Sequence, residues 1–143
     1  SWSRYELSLL AMSTKGPHGF KIIFHKQETT THVEYALGNY HNDVHSVEFA
    51  SQEKSYADHR QLKKLNDSTK IRFQEWYSVR LRVDGSQFFC YLNDELLFEG
   101  NNEDFDHGMI GLGTWGTSAR FKDLQVKELG SARLLWSGFP TID

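Results

Sequence analysis

The feature that most constrains this chain is a two-residue rhythm, in which apolar and polar side chains alternate over short runs that end at turn residues. Successive side chains of a strand point to opposite faces, so this rhythm suits half-buried strands. It recurs at Tyr5–Ala11, Phe20–His25, His32–Leu37, Val44–Glu48, Trp76–Val83, Gln87–Leu92, Leu96–Glu99, Met109–Thr114 and Ala119–Leu129, with a short run at Leu134–Trp136. Turn chemistry separates the runs, as at Lys15-Gly16-Pro17, Asp84-Gly85, Asn93-Asp94 and Gly116-Thr117. Helical spacing is nearly missing. Its best stretch, Tyr56–Leu65, reads equally well as an ordered loop. About ten short strands at this spacing predict an all-β sandwich or barrel.

Parity carries the reading further in two places. With Asp84-Gly85 as a two-residue turn, Val83 sits opposite Ser86, and Leu81, Val79 and Tyr77 face Phe88, Cys90 and Leu92 on a core side. The other side then carries Arg80 and Arg82 among Phe89 and Tyr91, a half-exposed mixture. A three-residue loop, Asn93-Asp94-Glu95, would keep Leu96 and Phe98 on the core side. In Met109–Trp115, Ile110 and Leu112 share the core face, while Gly111, Gly113 and Trp115 share the other. Two glycines beside a tryptophan make an open floor next to a flat apolar wall, or else relieve crowding under a covering loop. Trp76 is assigned to the core, at the start of a strand.

The totals exclude several classes. With 143 residues the chain is expected to be a single domain over 1–143. A net charge of −3 gives no basic surface for nucleic acid. No apolar run approaches ~18 residues, so no membrane insertion is expected. The lone Cys90 excludes a CxxC zinc or redox site. The start Ser1-Trp2-Ser3-Arg4 has no secretion signal, and the chain reads as a fragment of a longer multidomain protein.

The order of three segments, Gly19–Phe24, Tyr35–Asn42 and His45–Glu48, resembles accessory carbohydrate-binding modules of arabinofuranosidases. Those are concanavalin A-like, or laminin-G-like, jelly rolls. The hairpin from Trp76–Val83 to Cys90-Tyr91-Leu92-Asn93 is similar to one in the same group. Gly108–Thr114 with Ala119–Val126 resembles its closing strands, and also the 3-keto-disaccharide hydrolase-type domains of bacteria. The ending Leu134–Pro140 is similar to tails of multidomain bacterial proteins. The resemblance runs from about Tyr5 to Val126. It implies a two-sheet antiparallel jelly-roll sandwich, a polysaccharide or oligosaccharide ligand, other domains of the same polypeptide as partners, and an extracellular, cell-surface or periplasmic setting.

Sugar recognition needs a flat aromatic for the C–H face of the ring and fixed polar groups for its hydroxyls. The ligand-binding residues expected on that ground are Trp115, the loop Tyr40, His41 and Asn42, and the face with Arg80, Arg82 and Tyr91. The loop reads equally as turn chemistry, and the arginines as a solvated strand face. His41 and His45 have the i, i+4 spacing of a zinc pair but sit in loop and strand, without HExxH. Asn101–Asp106 is rich in oxygen ligands. It is read as a solvated acidic loop, with structural calcium as the alternative and no other cofactor expected. Asn66-Asp67-Ser68 is a glycosylation sequon only for a secreted eukaryotic protein. No GxSxG or ExDxxE is present, so no catalytic residue is assigned, and a glycoside hydrolase is the lesser alternative beside a protein-interaction or sensor module. Glu48 with Glu53, or Glu75 with Glu34, are carboxylate pairs that the sequence leaves open.

Overall fold

Backbone hydrogen bonds join the alternating runs side by side, which is how extended segments satisfy their N–H and C=O groups. The computed structural model describes residues 2–50, 60–65, 70–131 and 133–138, with the backbone alone for Tyr40 and 60–65. In chain order the elements are β1 (Arg4–Lys15), β2 (Phe20–Lys26), β3 (His32–Gly38), the single turn α1 (Asn39–Asn42), β4 (Val44–Ala50), β5 (Arg60–Leu65), β6 (Tyr77–Asp84), β7 (Gln87–Leu92), β8 (Glu95–Asn101), β9 (Met109–Gly113), β10 (Ser118–Glu128) and β11 (Leu134–Ser137). A six-stranded sheet has the order β11-β10-β1-β6-β7-β8, and a five-stranded sheet the order β5-β4-β3-β2-β9. All named strand pairs are antiparallel. The two sheets stack as a jelly-roll sandwich.

Alternation fills the space between them. Leu7, Leu81, Val83 and Phe88 from one sheet meet Ile22, Phe24, Val33 and Tyr35 from the other, all at most 1% exposed. Ile110 and Leu112 pack on this core as predicted. At one end His25 ties the layers together. Its Nε2 lies 2.9 Å from the Gly85 carbonyl, and its Nδ1 lies 3.0 Å from the Asn102 amide nitrogen. An amide donor on Nδ1 and a carbonyl acceptor at Nε2 fix the neutral ring with its proton on Nε2.

Four expectations change. The β6–β7 turn is Gly85-Ser86, with Asp84 opposite Gln87, Leu81 opposite Cys90 and Arg80 opposite Tyr91. Gly85 takes φ 62°, the positive value a primed hairpin turn asks of its first central residue. The shift is two residues, so both faces keep their composition. The next turn has two residues, Asn93 and Asp94, at φ 48° and 67°. A β-bulge opposite Cys90 and Tyr91 then restores parity, burying Phe98 and leaving Leu96 exposed, contrary to its expected core place. Trp76 is exposed and covered by Lys122, because β6 begins one residue later and Tyr77 takes the core position. Finally, Arg60–Leu65 is strand β5, paired with β4, not a helix. The ladder groups of β4 offer that segment partners that a weak helical pattern cannot match. Tyr56–His59, the Asn66-Asp67-Ser68 sequon and the tail from Phe139 lie outside the described residues.

Candidate functional site

The outer face of the five-stranded sheet is built in two registered rows. One runs Gly111, Ile23, Glu34, Glu48 across β9, β2, β3 and β4. The other runs Gly113, Lys21, Ala36, Ser46. Directly opposed side chains lie about 4.5–5.5 Å apart at Cβ and diagonal ones within reach of long chains. Lys21 therefore reaches diagonally to Glu34, Nζ to Oε1 at 3.1 Å. His32, two residues before Glu34 on the same face, gives Nε2 to the same oxygen at 2.9 Å, while its Nδ1 lies 2.7 Å from the Thr30 carbonyl. Burial, the largest influence, pushes the Glu34 carboxyl upward. The His32 bond and the charge and bond of Lys21 together outweigh it, and the net value lies below the ordinary one.

Beside it Glu48 is 1% exposed, with Oε2 accepting from Ser46 Oγ at 2.7 Å and Asn39 Nδ2 at 2.9 Å. The pair of opposed carboxylates is thus Glu34 with Glu48. Glu75 instead accepts from the Tyr77 hydroxyl, and Glu53 lies outside the described residues.

Asn39, held by Glu48, lines a shallow open depression at the β9 end of this face, formed by residues 18–21, 36–39, Thr114 and Trp115. Open to solvent and not enclosed, it offers a surface for a ligand to lie on. Trp115 forms its wall at 70% exposure. The turn carrying it is fixed: Thr117 Oγ1 donates to the Trp115 carbonyl at 3.1 Å and accepts from His18 N at 3.0 Å. On the far side Gly19 lies so close to β3 that an added Cβ would stand 2.0 Å from the Leu37 carbonyl oxygen. Gly111 and Gly113 do not lie under a covering loop, but side chains rest against them and they do not line the depression. A Cβ at Gly111 or Gly113 would meet only the Ile23 and Lys21 side chains, with no covering backbone.

The expected ligand-binding residues divide between two faces. Trp115 and His41 belong to the depression's surroundings, His41 through His18: its N donates to His18 Nδ1 at 3.0 Å, and the rings lie 5.0 Å apart. Tyr40 lies in α1. Asn42 turns away, exchanging two hydrogen bonds with the Ile71 backbone at 2.8 and 3.0 Å. Arg80, Arg82 and Tyr91 are on the outer face of the other sheet, on the far side of the core. There Arg80 stacks 4.0 Å from the Tyr91 ring centre and pairs with Glu6 at 3.2 Å. The glycine-flanked tryptophan and the arginine face are therefore separate surfaces.

Lys21, His32, Glu34 and Asn39 were not singled out as ligand-binding from sequence. Their signal is the period-two pattern of β2 and β3, which places Lys21 and Glu34 outside the core although the runs read as mostly apolar. Among the described residues no group of three or more His, Cys, Asp and Glu is placed to hold a metal. In Asn101–Asp106, Asn102 Oδ1 accepts from Asp104 N at 2.9 Å and Asn101 Oδ1 from Ser86 Oγ at 2.6 Å, so two of the oxygens proposed for calcium are engaged internally. His45 is buried, and its Nδ1 accepts from Gly38 N, away from His41. Cys90 is buried, and burial pushes its thiol well up, which suits a packing role.

The sequence pattern of the 3-keto-alpha-glucoside-1,2-lyase-like domain matches residues 1–127. No curated protein matches by sequence. Among solved structures, the carbohydrate-binding module CBM66 from Bacillus subtilis superposes with a TM-score of 0.71 at 15% identity, over 87% of this chain and 75% of that one. The Caenorhabditis elegans galectin LEC-6 gives 0.61 at 12%, over 88% and 84%. A Parabacteroides distasonis protein described as a candidate glycosyl hydrolase gives 0.58 at 17%, over 90% and 73%. At these identities the likeness is one of fold.

Proposed function

The chain belongs to the 3-keto-alpha-glucoside-1,2-lyase-like domain family, and on that premise we propose that it is a non-catalytic carbohydrate-binding domain, with one sugar ring lying against Trp115 over the five-stranded sheet. The observation that carries this reading is the exposure of Trp115, 70%, at the rim of a depression whose polar groups are already held in place. An indole standing in water gains by covering a sugar's C–H face, and groups fixed beforehand need no ordering on binding. Asn39 is pinned by Glu48, and Lys21 by Glu34. That CBM66 and a galectin share the fold supports the ligand class. Such ligands favour an extracellular, cell-surface or periplasmic setting, with the remaining domains of the polypeptide as partners.

The test is a glycan screen followed by calorimetry. Trp115→Ala should weaken the best ligand about tenfold or more, the worth of a partly covered indole face, and leave the unfolding midpoint unchanged. Trp76→Ala, on the other sheet, should leave binding unchanged. Binding that survives Trp115→Ala intact would overturn the placement.

A second reading is favoured by the family's description and by Glu34 lying opposite Glu48. Elimination or hydrolysis at a glycosidic bond needs an acid and a base in reach of it. Glu34 is partly open to solvent, but Glu48 is buried and bonded to Asn39 and Ser46, so the pair serves the binding reading better. Turnover of a 3-keto-α-glucoside that is lost in Glu34→Gln would favour this reading instead.

A further inference from the structure

We infer that the depression beside Trp115 selects an acidic sugar, one whose ring carries a carboxylate that meets the Lys21 ammonium. This rests on the carbohydrate reading above and adds to it the ligand's charge.

Among the described residues, the ionisable side chains lining the depression are His18 and Lys21, and no carboxylate lines it. Glu34 bonds Lys21 through one oxygen and does not itself line the depression. Its Oε1 is shared between Lys21 at 3.1 Å and His32 at 2.9 Å. His32 has an acceptor at each nitrogen, the Thr30 carbonyl and the Glu34 carboxylate. The Glu34 oxygen, outside the lining, is thus divided between two partners, and Lys21 is the ammonium that reaches the depression, on a chain whose net charge is −3.

The position of Lys21 lets that charge be used. Its side chain is 20% exposed, so the ammonium is accessible but stands where screening is weaker than in open water. An ammonium has three donors, and the bond to Glu34 uses one of them. Gly113 completes the arrangement. A Cβ there would stand 3.3 Å from Lys21 Cε, so glycine leaves the lysine stem room to lie across β9. One face of a bound ring can then rest on the indole while an acid group at its edge takes the free donors.

The experiment compares acidic oligosaccharides, built of galacturonate, glucuronate or mannuronate, with their methyl esters, which keep the sugar and remove the charge. At least one acid should bind about tenfold or more tightly than its ester, as a charge-assisted hydrogen bond provides. Lys21→Gln should abolish that ratio, Lys21→Arg should keep it, and added salt should reduce it. Phosphorylated neutral sugars form a further arm, and preference for them over the uronates would overturn the assignment of a carboxylate. Equal binding of acids and esters, or a ratio that survives Lys21→Gln, would overturn the inference and leave the carbohydrate reading standing. No binding of acid, ester or neutral glycan by the folded protein would overturn the carbohydrate reading itself.

Discussion

Lys21 on the five-stranded sheet and Arg80 on the six-stranded sheet are both cations on an outer strand face, and both are paired with a glutamate, yet their surroundings differ. Lys21 and Glu34 are 20% and 13% exposed, and His32 joins them on one oxygen. Arg80 and Glu6 are 33% and 34% exposed, and the arginine lies flat on Tyr91. The first arrangement sits beside a depression that Lys21 lines. The second is a local stack, repeated by Lys122 over Trp76 at 4.2 Å and Arg82 over Phe89 at 5.8 Å. Charged residues interleaved with aromatics are thus no guide to a site by themselves. Partial burial and the depression lined by Lys21 mark the first face, and ring stacks with more exposed ion pairs mark the second.

The strongest way to break this contrast is Glu48→Ala. Glu48 underlies the depression at 1% exposure, and its removal leaves Asn39 Nδ2 and Ser46 Oγ without this acceptor. A loss of about 2–4 kcal/mol in urea unfolding is expected, the scale for breaking a buried charged network. Because Asn39 lines the depression, any Trp115-dependent binding should fall with it. A loss below about 1 kcal/mol would mean that the two faces are energetically alike, and the comparison would fail.

Much of the fold was legible from the two-residue rhythm alone, because a sandwich's inner faces must be apolar at every second position. The rhythm located the strands on either side of the Gly85 and Asn93 turns. It could not foresee that the second turn has two residues, which put Leu96 opposite Tyr91 on the surface, nor the β8 bulge at Leu97 that returned Phe98 to the core, since a bulge changes parity without a distinctive residue. Strand β5 was missed for a related reason: Arg60–Leu65 has no alternation and is strand because β4 lies beside it. For the site, the glycine-flanked Trp115 was legible as an exposed wall. Which other residues share its neighbourhood was not. Arg80 and Lys21 look equivalent in sequence, and only the sheet order, with β2 next to β9 and β6 next to β1, puts one near Trp115 and the other across the core.

A smaller effect comes from His25, which belongs to neither outer face and joins the two sheets from inside. It is fully buried, and burial, the largest influence, lowers its pKa below the ordinary 6.5, against an upward pull from the Gly85 carbonyl. The unfolded chain then binds a proton more readily than the folded one. Stability is full above pH 6.5 and is lost as pH falls through the lower folded value. Thermal unfolding midpoints should drop across that window, and His25→Gln should flatten the slope. Glu34, whose folded value is lowered, adds a separate loss at lower pH, below its ordinary 4.5. A Glu34→Gln variant should remove that second loss and keep the first. A single acid transition untouched by either variant would show that neither group reports on its part of the sandwich.

The smallest expected effects test the other side of the contrast. Arg80→Ala removes a partly exposed ion pair with Glu6, a longer contact of 3.9 Å to Asp94, and a stack on Tyr91. Screened pairs of this kind contribute up to about 1 kcal/mol and an exposed cation–aromatic stack a similar amount, partly offset by the entropy the freed side chains regain. The expected loss is therefore near or below 1 kcal/mol, with glycan binding unchanged. Arg82→Ala should do less, within about 0.5 kcal/mol, because its guanidinium lies farther from its ring, at 5.8 Å. Chemical unfolding and calorimetry on these variants and Lys21→Gln give the decisive comparison. If Arg80→Ala weakens a glycan as strongly as Lys21→Gln does, the binding surface lies on the six-stranded sheet, and the Trp115 depression is only a feature of the rim.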